Sequence, residues 1–357
     1  MSDQRILRYF LGGNTSNGFY CPYECFTPEC KDSFLWVIKG GSVCGISSFV
    51  KALGAAAEKA GFRVEYAVCP FDIDALEGIN IPELKTAYLD GTAPRLAETN
   101  MAGVDSAYMD LDTYCDFDAV SRNKTELKEL YSGQSAFYKK AYCALAAAGV
   151  LQNDWADEFS TKSENEEALE RVRGIALREF GKRHRDEGKL KLRFLSALTC
   201  GGLSSLSDTA SALCSRFYVF ENRLKMAAPA LKYLAAAACA AGHDVIVCPN
   251  PLTPKKAEAV LVPSLSLGFI ADDCALNGDI DARRIRLDAL ADIERLKKTR
   301  AELRRCEKLT EALVCEGCSN LAGAKLLHDK IESIINPNVD FDGIGALAQK
   351  HLEALGI

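Results

Sequence analysis

Two tandem α/β modules are predicted for this chain, each a mostly parallel sheet flanked by helices and continued by helical extensions. Three observations predict them. A glycine-rich loop lies between an apolar strand and an amphipathic helix. A later strand ends in an aspartate. The pattern of the first half then recurs, imperfectly, in the second half. The loop has the phosphate-binding form with its lysine missing, so the modules read as P-loop NTPase-like, the second one degenerate. Residues 1–181 form the first module with its helical extension, 182–192 the linker, and 193–357 the second, degenerate module with its own extension.

The loop runs Lys39-Gly40-Gly41-Ser42-Val43-Cys44-Gly45-Ile46-Ser47-Ser48. A phosphate loop needs Gly, four residues, Gly, Lys, then Ser or Thr. Gly40, Gly45 and Ser47 are in register, and Ile46 occupies the lysine position. Before the loop, Phe34-Leu35-Trp36-Val37-Ile38 has the continuous apolar character of a buried strand. After it, Ile46, Phe49, Val50, Leu53 and Ala57 keep a helical period, and Gly61 ends the run. In this setting glycines let the backbone approach a phosphate while the helix start aims free N–H groups at it. Gly40, Gly41, Ser42, Val43, Cys44, Gly45, Ile46, Ser47 and Ser48 are therefore the candidate nucleotide-binding residues.

Leu84 to Leu89 forms the next strand signal and runs into Asp90-Gly91-Thr92. A strand-ending aspartate beside a phosphate loop holds magnesium in such folds. Ser47 and Asp90 are thus the candidate metal ligands and Asp90 the candidate catalytic carboxylate, against the plainer reading of Asp90 as a turn residue before Gly91. A loop lysine contributes roughly 1.5–3 kcal/mol as a charged hydrogen-bond donor. Losing about 3 kcal/mol would cost on the order of a hundredfold in affinity or rate. Lys39, at the strand end, is the candidate substitute cation; Lys51, more than a turn into the helix, is expected to point away.

Sliding the chain so that Trp36 falls on Phe217 also superposes Lys51 on Lys232, Leu53 on Leu234, Gly61 on Gly242, Val64 on Val245 and Pro82 on Pro263. Phe217 to Phe220 then reads as a strand and Pro229 to Ala241 as an alanine-rich helix with Pro229 in its first turn. Between them, Glu221 to Ala228 holds no glycine, which predicts a backbone unable to take positive φ easily. Asp90 maps onto Ala271, with Asp272 and Asp273 following.

These segments resemble a group of bacterial proteins with two tandem P-loop modules, described as predicted ATPases or nucleotide-kinase-like proteins. The resemblance rests on Gly12-Gly13-Asn14-Thr15 through Gly18-Phe19-Tyr20, Ile38-Lys39-Gly40-Gly41, Val64-Glu65-Tyr66, Ile81-Pro82-Glu83-Leu84 and Leu89-Asp90-Gly91-Thr92-Ala93-Pro94. Ala102 to Asp105, Leu111-Asp112 and, in the second half, Phe194 to Thr199 extend it over nearly the whole chain. It implies ATP and Mg2+ as ligands, a lysine at position 46, and a second complete phosphate loop near Glu221 to Ala228. This chain departs at both places.

The remaining chain reads as helical over Lys124–Ala148, Glu164–Phe180, Asp281–Val314, Lys325–Ile335 and Ile344–Leu355. The long helices could offer a surface for a second copy or a partner protein, and Arg283, Arg284, Arg304 or Arg305 could reach the other half's nucleotide. A net charge of −6 argues against a nucleic-acid partner. No run is long and apolar enough for a membrane span, and the start lacks signal-peptide form, so a cytoplasmic location is expected. Fifteen cysteines raise a metal site, with Cys21, Cys25 and Cys30 clustered and Cys315 and Cys318 spaced as C-x-x-C. The four histidines are scattered, so buried free thiols are the expected reading.

Two function classes follow. One is a pseudoenzyme: a nucleotide-binding or regulatory scaffold with weak or no ATP hydrolysis. The other is an active ATPase or small-molecule kinase using Ser47, Asp90, Mg2+ and a substitute cation. A third reading, an unrelated α/β protein whose glycines only turn the chain, stays beside them.

Overall fold

The computed structural model describes residues 6–26, 32–40, 43–95, 97–99, 101–181, 186–272, 274 and 281–357. Gly41, Ser42, Cys30 and Asp273 lie outside the described residues, as do the side chains of Cys25, Val43 and Cys44.

The first half contains β1 (Ile6–Phe10), β2 (Gly13–Thr15), β3 (Gly18–Tyr20), β4 (Phe34–Lys39), α1 (Val43–Lys59), β5 (Val64–Val68), β6 (Leu76–Ile81), β7 (Thr86–Asp90) and β8 (Ser106–Asp110). Helices α2 (Phe117–Ser121), α3 (Lys124–Phe159) and α4 (Lys162–Glu179) follow. The second half contains β9 (Leu190–Leu192), β10 (Ser196–Thr199), β11 (Gly202–Ser205), α5 (Ser207–Leu213), β12 (Arg216–Phe220), α6 (Ala227–Ala240), β13 (Val245–Pro249), β14 (Ala257–Val262), β15 (Leu267–Ala271) and β16 (Asp281–Ile285). It ends with α7 (Ile293–Ile335) and α8 (Phe341–Leu355).

The two halves share one topology. The six-stranded sheets run β1-β5-β6-β7-β4-β8 and β9-β13-β14-β15-β12-β16. In each, a single strand, β6 or β14, opposes the direction of the others. Each half also carries a small hairpin, β2-β3 or β10-β11. The 3-10 turn before β7 ends on left-handed Lys85, and the one before β15 on left-handed Ser266. Sheet register corrects one superposition: Trp36 pairs with Tyr88 as Tyr218 pairs with Phe269, so Trp36 corresponds to Tyr218 rather than Phe217. The mapping of Asp90 onto Ala271 stands, since they pair with Ile38 and Phe220 respectively.

The halves meet around an approximate two-fold relation. Phe10 and Phe194 are equivalent residues, and each donates its N–H to the other's carbonyl, at 3.0 and 2.9 Å. Helices α3 and α7 pack along each other. Beyond them the last helices are exchanged: α4 packs on α6 of the second half, and α8 packs on α1 of the first. Accordingly Ala168, Val172 and Ile175 of α4 share a core with Leu231 and Leu234 of α6, while Ile344, Ala348 and Leu352 of α8 share one with Phe49, Val50 and Leu53 of α1. Neither half is closed by its own extension, so the division at 182–192 separates the sheets but not the cores. Leu190 to Leu192 of that linker is itself strand β9.

Three predicted elements change. Asp281–Ile285 is an edge strand beside β12, because parallel pairing there satisfies backbone groups that a helix would leave facing the sheet edge. Helix α3 continues beyond Ala148 to Phe159. Helix α7 is unbroken from Ile293 to Ile335, where the sequence suggested two helices. Its glycines are places of close approach, not breaks: a Cβ on Gly317 would lie 2.6 Å from Leu145, and one on Gly323 2.5 Å from Phe137. Among the described residues, no helix is long and apolar enough to cross a membrane.

Candidate functional site

Strand β4 lies between two parallel neighbours, β7 and β8, and feeds directly into α1. This puts the helix start beside the end of β7, where Asp90 pairs in register with Ile38. The predicted loop, Ser47 and Asp90 thus fall at one end of one sheet. The side chains are directed in ways the sequence did not indicate.

Ile46 is 1% exposed and belongs to the core cluster that includes Phe49, Leu111 and Ile344. Gly45 is small for a packing reason as well: a Cβ there would approach Ile344 Cδ1 to 2.9 Å. Ser47 Oγ accepts the Leu76 N–H at 3.0 Å, tying the first turns of α1 to the start of β6. Lys39 does not turn toward the loop. Its Nζ donates to Gly91 O at 2.8 Å, Ala97 O at 3.1 Å and Glu98 Oε1 at 3.2 Å, which pins the segment after β7. Lys51, expected to point away, instead lines the same cavity as Ser47 and Ser48, donating to Asp74 O at 2.7 Å.

Asp90 is 2% exposed and both its oxygens are engaged. Oδ2 meets Arg95 at 2.9 Å; Oδ1 accepts from Thr92 N at 2.8 Å and Thr92 Oγ1 at 2.6 Å. A magnesium ion at Asp90 would share the carboxylate with Arg95 and Thr92. Arg95, 5% exposed, also pairs through Nε with Glu77 and donates to Cys69 Sγ at 3.2 Å. Burial pushes the Glu77 carboxyl up to about 6, against the pull of Arg95. Among the described residues, Glu77 Oε1 is buried without a hydrogen-bond partner.

Sequence reasoning missed Glu77 and Arg95. A signal for the first existed: the same superposition that aligns the halves places Glu77 on Glu258, and both are buried. Arg95 has no such echo and is found only through its contacts.

Above these groups opens a cavity of about 770 Å3. Its floor is Gly40, Ser47, Ser48 and Lys51; the loop from Cys69 to Ala75 and the turn from Thr92 to Arg95 form its sides. Its roof is the α3–α7 pair, through Tyr131, Tyr138, Tyr142, Lys325 and His328 among others. The volume falls in the range of about 300–1,000 Å3 typical of small-molecule sites.

Among the described residues, the equivalent place in the second half is nearly filled. A cavity of about 20 Å3 remains beside Asn222, Lys225 and Ala228. The loop before α6 does reach positive φ without glycine, at Lys225 (φ 58°), contrary to the sequence expectation. Its amides serve an internal acceptor: Arg223 N and Leu224 N donate to the Asp288 carboxylate at 3.0 and 3.2 Å. Arg223 is in turn clamped by Glu307 at 2.7 and 3.0 Å.

Cys315 is exposed and Cys318 buried on α7, and Cys21 is half-buried; the described cysteines are free thiols. No group of three or more His, Cys, Asp or Glu among the described residues is placed to hold a metal ion.

The fold and site define an α/β protein of two similar sheet modules, with an open cavity at the helix start of one. Comparison with known protein families, characterised proteins and solved structures finds no match to the chain.

Proposed function

We propose that this protein is a P-loop NTPase-like pseudoenzyme, a nucleotide-binding or regulatory scaffold whose ATP hydrolysis is weak or absent. The observation that carries the reading is the cavity of about 770 Å3 floored by Ser47 and Ser48 at the start of α1. In this reading Gly40 through Ser48 receive phosphate through backbone N–H groups, Ser47 and Asp90 are the magnesium ligands, and Asp90 is the catalytic carboxylate wherever turnover occurs. Weak turnover is supported by the burial of Ile46 in the core and by the engagement of both Asp90 oxygens with Arg95 and Thr92. An active ATPase or small-molecule kinase is the second reading, favoured by Lys51 and Lys325, which line the cavity and could replace the missing lysine.

Calorimetry with ATP and GTP in the presence of Mg2+, paired with a phosphate-release assay, separates them. Binding without release above the buffer rate is expected. Turnover that disappears in Asp90→Asn would establish the second reading, and no binding of ATP, GTP or their monophosphates would remove both. Ile46→Lys is unsuited to the question, because the lysine would enter a core site that is 1% exposed.

A further inference from the structure

We infer that the ligand of this cavity is nucleoside-like, a planar heteroaromatic ring with at most one phosphate, rather than a nucleoside triphosphate. The inference rests on the proposed nucleotide reading and narrows it. Two features of the wall carry it.

The first is an array of rings. Phe19 stacks on Phe71 at 5.2 Å between centroids, Phe71 meets Tyr138 edge-on at 5.5 Å, and Tyr138 stacks on Tyr142 at 6.3 Å. All of them line the cavity. Gln134, one helical turn before Tyr138, lines it too and presents both a donor and an acceptor to a ring edge. Aromatic walls with a few polar groups favour flat heteroaromatic ligands, whose faces stack and whose edges hydrogen-bond.

The second is charge. Among the described residues, the lining cations are Lys51, Arg95 and Lys325, and the lining carboxylates are Asp72, Asp74 and Glu332. Each cation already has a partner. Lys51 donates to Asp74 O, Arg95 is held by Glu77 and Asp90, and Lys325 Nζ lies 3.2 Å from Asp72 and also pairs with Asp329. A triphosphate tail would bring several negative charges to a wall with as many lining carboxylates as cations, where Arg95 and Lys325 are already held by carboxylates and Lys51, bonded to a backbone carbonyl, is left to meet phosphate. A neutral nucleoside or a monophosphate near Ser47 and Ser48 asks for no more than that one cation.

Calorimetry at constant ionic strength, with adenosine, AMP, ATP and decanoate as probes, tests this. Adenosine and AMP are expected to bind at least as tightly as ATP, and decanoate more weakly than adenosine. Tyr138→Leu should weaken adenosine about tenfold or more while Tyr138→Phe keeps wild-type affinity, since stacking needs the ring and not the hydroxyl. Thermal melts of both variants confirm that they are folded; should Tyr138→Leu fail to fold, the probe ranking on the wild-type protein decides alone. ATP binding more than tenfold tighter than AMP would overturn the inference and leave the nucleotide-scaffold reading intact. Decanoate binding tighter than adenosine would overturn it in favour of an acyl ligand. No binding by any nucleotide or nucleoside overturns both.

Discussion

The two sheets of this protein have the same strand order and the same single reversed strand, yet their loop-to-helix junctions have gone separate ways. In the first half, the space beyond the junction is open, at about 770 Å3, and a buried cluster of Asp90, Arg95, Glu77 and Cys69 lies at its side. In the second half, Ala271 stands where Asp90 would, the space is about 20 Å3, and Asp288 accepts the N–H groups of Arg223 and Leu224. Burial explains the contrast. Backbone N–H groups removed from water need an acceptor whether or not a ligand supplies one. At the second junction the acceptor is Asp288, a carboxylate of the chain itself.

The comparison can be broken most sharply at Arg95, whose superposed position in the second half, Leu276, lies outside the described residues. Arg95→Met leaves Glu77 and Asp90 as buried carboxylates without their shared cation, and such losses cost about 3–5 kcal/mol. Urea unfolding should show a loss of that order. A loss under about 1 kcal/mol would mean the cluster is not a structural keystone of the first half. A smaller effect is expected from Glu77 itself. Its folded carboxyl is raised from 4.5 to about 6, so the folded state holds a proton that the unfolded state has released. The Glu77 contribution to stability is therefore fully present below about pH 4.5 and is lost as pH rises toward about 6, by roughly 2 kcal/mol at 1.36 kcal/mol per pKa unit. The difference in unfolding free energy between wild type and Glu77→Gln, followed from pH 4 to 7, isolates this term; a flat difference contradicts it.

The second half is probed at Asp288. Asp288→Ala removes the acceptor of two loop N–H groups. It should cost about 1–3 kcal/mol, read by the same denaturation and accompanied by faster amide exchange at Arg223 and Leu224. Unchanged exchange there would show that the loop does not depend on its internal carboxylate. The smallest effect concerns the exchanged helix α8. His351 sits among Trp36, Phe49 and Tyr88, and burial, with nearby Lys350 adding, holds its imidazole below the usual 6.5. The folded state thus resists protonation, and stability should decline as pH falls from about 6.5 through the folded pKa. In His351→Phe that decline should be absent; if it persists, the titration belongs to another group.

Local segments were legible wherever a short window carried the cause. The apolar run at Phe34, the glycine loop and the helical spacing of Phe49, Val50 and Leu53 place β4 and α1 in sequence and in space. Pro229 in the first turn of α6 and Gly61 after α1 behave as their chemistry requires. Less legible were the long helices and the loop before α6. The sequence pattern predicts separate helices over Asp281–Val314 and Lys325–Ile335, whereas α7 runs through the interval and Gly317 and Gly323 admit Leu145 and Phe137 of α3. The absence of glycine at 221–228 suggested a barred conformation that Lys225 nevertheless adopts, at a site where surrounding bonds hold it.

The chain's own order of residues determined that there are two related α/β halves, and that a loop between strand and helix sits at one end of one sheet. Those outcomes follow from hydrophobic periodicity and turn chemistry, which act over a few residues. Only the folded molecule decided the exchange of α4 and α8, the pairing of Phe10 with Phe194, the burial of Ile46, and the meeting of Glu77 with Arg95. These depend on packing between segments far apart in the chain, where each side chain's direction is set by what else must be buried beside it.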